Sequence, residues 1–153
     1  METHSKGFFS IILMLAMLLM ANVLQAQSCS TRSTVGRYVV TCDGFLTPAQ
    51  NAPLVPAKIL ATATADNNGT FSGPGTISLG GTVIPMSVVG TEHINQDCTG
   101  TISYNLTLGG QPGPPLDITF VVSDAGYTIN GLVTDQGAVF SCTLKRMLPG
   151  IYR

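Results

Sequence analysis

The chain has 153 residues, of which 44% are hydrophobic and only 10% charged, with a formal net charge of −1. That near-neutral balance excludes the basic footprint which nucleic acid or an anionic lipid surface would require. The length suits one ordinary domain with a real apolar core.

Residues 1–26 read as a secretory signal peptide. Lys6 opens a short charged segment, an apolar run of about 14 residues follows from Phe8 to Ala21, and Val23-Leu24-Gln25-Ala26 places a small residue at the cleavage point. The run is too short to cross a bilayer comfortably, so no transmembrane span is expected in the mature protein. The expected organisation is a signal peptide, 1–26, followed by one domain, 27–153, in a secreted or periplasmic setting. Ala26-Gln27-Ser28-Cys29 also loosely resembles a lipobox, which would make Cys29 a lipid anchor. Gln25 and Gln27 stand where small or apolar residues are usual, and a lipidated Cys29 could form no disulfide. Export favours mutual disulfides for Cys29, Cys42, Cys98 and Cys142, for which three full pairings exist. With no Cys-x-x-Cys spacing and His93 the one histidine left after cleavage, neither zinc nor any other cofactor is expected.

After residue 27 the dominant signal is period-two alternation broken by turn chemistry. Ile102-Ser103-Tyr104-Asn105-Leu106-Thr107-Leu108 is apolar at every second position, and Leu116-Asp117-Ile118-Thr119-Phe120 repeats the pattern. Such segments are strands with one dry and one wet face. Connections fall at Asp43–Pro53, Asp66-Asn67-Asn68-Gly69, Gly80-Gly81, Asp97-Cys98-Thr99-Gly100, Gly109–Pro115, Asp124-Ala125-Gly126 and Asp135-Gln136-Gly137. They delimit eight strands near 36–42, 54–65, 70–79, 82–94, 101–108, 116–123, 127–134 and 138–147.

Eight antiparallel strands joined in sequence can curl until the last pairs with the first, which removes bare edges. The expected fold is therefore all-β, a single eight-stranded antiparallel up-and-down barrel. A two-sheet sandwich is the alternative that strand counting leaves open. In a closed barrel Cys42, late in the first strand, lies alongside Cys142 in the eighth. Cys29 and Cys98 then tie the N-terminal arm to the loop between strands four and five. This topology selects Cys29–Cys98 with Cys42–Cys142.

The segment Gly90-Thr91-Glu92-His93-Ile94-Asn95-Gln96-Asp97-Cys98-Thr99-Gly100-Thr101 resembles one that recurs in small exported bacterial proteins. Those proteins resemble the barrel of allene oxide cyclases and, more distantly, the lipocalin-type (calycin) barrels. The likeness covers nearly all of residues 29–147. In lipocalin-type barrels a Gly-x-Trp opens the first strand and a basic residue of the last strand covers that ring. Here Gly36-Arg37-Tyr38 puts a tyrosine at that place in a chain with no Trp, and Lys145 or Arg146 is the implied cation. A tyrosine usually stands in the related segment where this chain has Glu92.

Strand parity groups Glu92 with Met86, Val88, Gly90 and Ile94 and aims it inward. A carboxyl facing an apolar lumen has its pKa raised by desolvation, which suits a general acid or base. Allene oxide cyclases use a glutamate inside a barrel, so the resemblance implies a cyclase or isomerase with Glu92 as catalytic residue and Tyr104, Asn105 and Ser87 as possible neighbours. The competing reading has Glu92 reach water near Asn95 or meet Arg37. His93 points outward with Val89 and Thr91, and no Gly-x-Ser-x-Gly elbow accompanies it. The aspartates beside glycines or in turns, Asp43, Asp66, Asp97, Asp124 and Asp135, read as caps of backbone amides.

The leading functional expectation is a secreted barrel that binds a small apolar molecule in its lumen. Its lining candidates are Phe71, Met86, Val88, Ile102, Tyr104, Leu106, Ile118, Phe120, Ile129, Phe140 and Leu144, with Met86 and Met147 as adaptable surfaces and Asp43–Pro53 as a lid. The alternatives are the cyclase or isomerase using Glu92, and a filled, non-catalytic barrel stapled by disulfides that works through its exterior. No motif speaks to oligomeric state.

Overall fold

The computed structural model describes residues 28–47, 52–133 and 135–148. The signal-peptide reading of 1–26 lies outside them, as do residues 48–51 of the expected lid. The strands are β1 (Gly36–Leu46), β2 (Val55–Ala65), β3 (Thr70–Leu79), β4 (Thr82–Ile94), β5 (Thr99–Leu108), β6 (Gln111–Ser123), β7 (Thr128–Val133) and β8 (Ala138–Arg146). Each pairs antiparallel with its sequence neighbours, and β8 returns to β1 to close an eight-stranded up-and-down barrel.

Alternation in the sequence becomes alternation in burial. Along β5, Gly100, Ile102, Tyr104 and Leu106 are buried while Thr101, Ser103 and Asn105 are exposed. The inward sets of all eight strands merge into one apolar core. At about 25 cal/mol per Å² of apolar surface removed from water, that shared interior is the main force holding the cylinder shut.

Both expected disulfides form. Cys42 and Cys142 are direct partners across the β1–β8 seam, with Cα atoms 4.1 Å apart. Cys29 binds Cys98 in the turn between β4 and β5, Cα to Cα 4.9 Å. They close stretches of 100 and 69 residues respectively, so the chain-entropy argument assigns each roughly 4–5 kcal/mol. The Cys29 sulfur is thus committed to a bond that a lipid anchor would forbid.

Two connections are shorter than the alternation suggests. Asp43 and Gly44 look like turn chemistry, yet β1 runs on to Leu46 and pairs with both β2 and β8. The lid reading therefore loses its first four residues to a strand. Likewise Gln111–Pro115, expected as loop, belongs to β6 and pairs with β5 across a bulge between Asn105 and Thr107. β6 meets β7 only from Ile118 onward. Pro112 and Pro115 therefore occupy a stretch with a partner on one side, where a missing N–H costs no ladder bond.

Closure draws neighbouring backbones close at inward glycines. A Cβ on Gly44 would lie 1.8 Å from the Val139 carbonyl oxygen, and one on Gly73 would lie 1.9 Å from that of Thr62. Both positions are glycine because backbone occupies the space of a side chain. Gly44→Ala is expected to destabilise the protein by about 1–3 kcal/mol or more, read as a lower urea midpoint with both disulfides intact.

Candidate functional site

The two ends of the barrel differ in chemistry. At the end formed by the start of β1 and the end of β4, the N-terminal arm crosses beneath the strands. Its anchors are the Cys29–Cys98 disulfide and a hydrogen bond from Cys29 N to the Gln96 carbonyl at 3.2 Å. Thr31–Ser33 makes one 3-10 turn, and Thr34 behind it is fully buried. The Tyr38 hydroxyl donates to the Thr34 carbonyl at 2.8 Å, with the Gly126 carbonyl at 3.1 Å. Arg146 donates through Nη2 to the Ser33 carbonyl and to the Tyr38 hydroxyl, at 2.5 and 3.0 Å. Its guanidinium carbon lies 5.6 Å from the ring centroids of both Tyr38 and Tyr127, a cation–π arrangement. Of the two cations implied for the role, Arg146 covers the Tyr38 ring, while Lys145 has the outward parity and is exposed. Burial raises the Tyr38 pKa above its usual 10.0, against the opposing pull of Arg146.

Glu92 belongs to this polar seal. Its Oε1 lies 2.5 Å from the Thr34 hydroxyl, and that hydroxyl also lies 2.9 Å from the Thr31 carbonyl. A hydroxyl has one proton to give. If Thr34 donates to Thr31, the contact with Glu92 needs a proton from the carboxyl. A neutral Glu92 therefore satisfies both contacts, and an ionised one satisfies a single contact. Desolvation likewise raises the Glu92 pKa above 4.5, offset in part by a bond from Thr34 and reinforced by the Asp66 charge. Arg37, the other partner considered for Glu92, is exposed, as are Ser87 and Asn105.

Above the seal the lumen holds a cavity of about 50 Å³. The structure brings nine of the eleven lining candidates around it, from Phe71, Met86 and Val88 to Phe140 and Leu144. Phe120 and Ile129 are buried but fill the core elsewhere, and Glu92 and Met147 do not line the cavity. Parity aimed Glu92 inward correctly, yet the arm intercepts it before it reaches the apolar space. Lining residues absent from the sequence expectation include Val40, Ala61, Ala63, Ile77 and Leu116. All sit at inward positions of alternating strands, but the alanines of β2 are small enough to leave the alternation faint. At the opposite rim Leu46, Leu79, Ile84 and Leu108 are half-buried and apolar.

Three of the five aspartates expected to cap backbone amides do so, whereas Asp43 lies within β1 and pairs with Lys58 at 2.8 Å, and Asp124 accepts from the Ser123 hydroxyl at 3.4 Å. Asp66 accepts from the backbone N–H of Asn68 and Thr70, Asp97 from that of Thr99, and Asp135 from that of Asp117. Among the described residues, no group of three or more His, Cys, Asp or Glu is gathered to hold a metal ion. No helix among them is long and apolar enough to cross a membrane. Compared with protein-family models and with curated proteins, the chain matches none.

A folded-state pKa raised above 4.5 means that Glu92 stabilises the fold when protonated, and that this stability is lost as pH rises through the raised value. Glu92→Gln places a permanent N–H donor against Thr34. Urea unfolding between about pH 4 and 8 should show the Gln variant losing less stability with rising pH than the wild type. Parallel curves would contradict the protonated seal.

Proposed function

We propose that the protein is an exported barrel that holds one small apolar molecule in its lumen. The observation that carries this reading is the cavity above the polar seal, whose inward-facing lining is apolar apart from Tyr104. Two disulfides fit an oxidising compartment, where a small domain gains most from covalent staples. The seal closes one end of the lumen, and the rim at the other is apolar.

The size of the space limits its occupant. About 50 Å³ is a third of the roughly 150 Å³ that accommodates a benzene in a rigid apolar cavity. The lining on β1 runs from Val40 to Leu46, about 20 Å of strand, so the space is slender. A narrow aliphatic chain suits it, with Met86 able to shift at little cost. Catalysis by Glu92, the cyclase-like alternative, has less support, since its carboxyl is engaged with Thr34 and stands outside the cavity lining.

Thermal unfolding in the presence of short alkanes, ketones and alcohols tests the reading. A ligand at a hundred times its Kd adds about 2.7 kcal/mol, a rise of several degrees in Tm. Ala61→Leu, which projects into the cavity, should abolish that rise while the free variant stays folded. If no compound shifts the wild type, the filled-barrel alternative gains and lumen binding is refuted.

A further inference from the structure

The buried hydroxyls of the barrel are treated unequally. Those of Tyr38 and Thr34 are engaged with named acceptors in the seal. Tyr104 is only 8% exposed and lines the cavity, yet its hydroxyl has no hydrogen-bond partner among the described residues. No side-chain oxygen or nitrogen that is fully shut off from solvent lacks a partner, so the Tyr104 hydroxyl borders free space. Were that space dry, the hydroxyl would be left unsatisfied at a cost of about 1–3 kcal/mol. The ring has room because β4 presents Gly90 directly opposite, where a Cβ would come within 2.6 Å of the Tyr104 Cβ.

Water is a poor substitute partner here. A held water needs two to four polar neighbours. Thr62 also borders the cavity, but it has the outward parity of β2, so Tyr104 supplies the one polar side chain from the inward positions. A charged ligand fits no better. No Lys, Arg or His lines the cavity. Asp135 and Asp117 act on the Tyr104 hydroxyl after burial itself, and all three influences raise its pKa, which keeps the proton available for donation.

We infer that the lumen takes a slender, uncharged, mainly hydrocarbon molecule bearing one acceptor oxygen, such as a ketone, aldehyde or ester carbonyl, which accepts the hydrogen bond of Tyr104. This rests on the lumen-binding reading above and adds to it the chemistry of the ligand and the residue that reads it. Burial in the apolar cavity supplies affinity, and the single donor supplies orientation and selectivity.

The test uses acetone, its oxygen-free counterpart isobutane, and acetate, titrated into the intact protein and followed by shifts of methyl NMR signals. Wild type should bind the ketone more tightly than the alkane and leave acetate unbound. Tyr104→Phe should weaken the ketone about three- to tenfold, the worth of one hydrogen bond, and leave the alkane unchanged. The free variant should keep or exceed the wild-type Tm, because an unpartnered polar group has been removed. A Tm several degrees lower would mean that the hydroxyl already has a partner and would overturn the assignment. Equal ketone affinity in wild type and Tyr104→Phe, or tight binding of acetate, would overturn it and leave lumen binding standing. Failure of ketone and alkane alike to bind would end both readings.

Discussion

Nine residue pairs join β1 to β8, from Tyr38 with Arg146 to Leu46 with Ala138. Without this seam both strands would present rows of unpaired N–H and C=O groups, and the inward side chains would have no enclosed space to fill. The register at the seam sets the rest. It puts Arg146 beside Tyr38 at the sealed end and Cys142 opposite Cys42 in the middle. Because side chains alternate faces, a slip of one residue would turn the inward set of β8 to solvent. It would part the cysteines and set Lys145 or Met147 against Tyr38.

The seam thus creates a container with unlike ends. At one, hydroxyls, a carboxyl, a guanidinium and two tyrosine rings meet the backbone carbonyls and the Thr34 hydroxyl of the N-terminal arm, which is fixed by a disulfide. At the other, half-buried aliphatic residues form the rim. Polar networks of this kind specify geometry only when their members are satisfied, and proton counting at Thr34 ties that condition to Glu92. The interior between the ends is filled more than it is empty, which makes it selective for thin occupants.

Much of this was legible in the amino-acid order. Strict alternation in Ile102–Leu108 located a strand and its dry face, and the turn signals between such segments gave the count of eight. Once the count implied closure, the positions of Cys42 and Cys142 along their strands gave the pairing. What stayed hidden depends on neighbours that are remote in sequence. Pro112 and Pro115 read as loop because nothing local reveals that β7 is too short to demand their N–H groups. Asp43-Gly44 read as a turn because the glycine answers to the approach of Val139, nearly a hundred residues away. Parity told that Glu92 faces inward, but only the fold of the arm shows Thr34 waiting there. The unpaired hydroxyl of Tyr104 is likewise a property of what surrounds it.

In chain order the bonded cysteines run 29, 42, 98, 142, and the bonds join first to third and second to fourth. The two covalent loops therefore overlap, sharing the backbone from Cys42 to Cys98, rather than lying side by side. Cutting the backbone once, anywhere between Cys29 and Cys142, leaves at least one bridge spanning the break. A protease that nicks an exposed turn of this molecule would leave its two fragments covalently attached, and they would separate only after reduction.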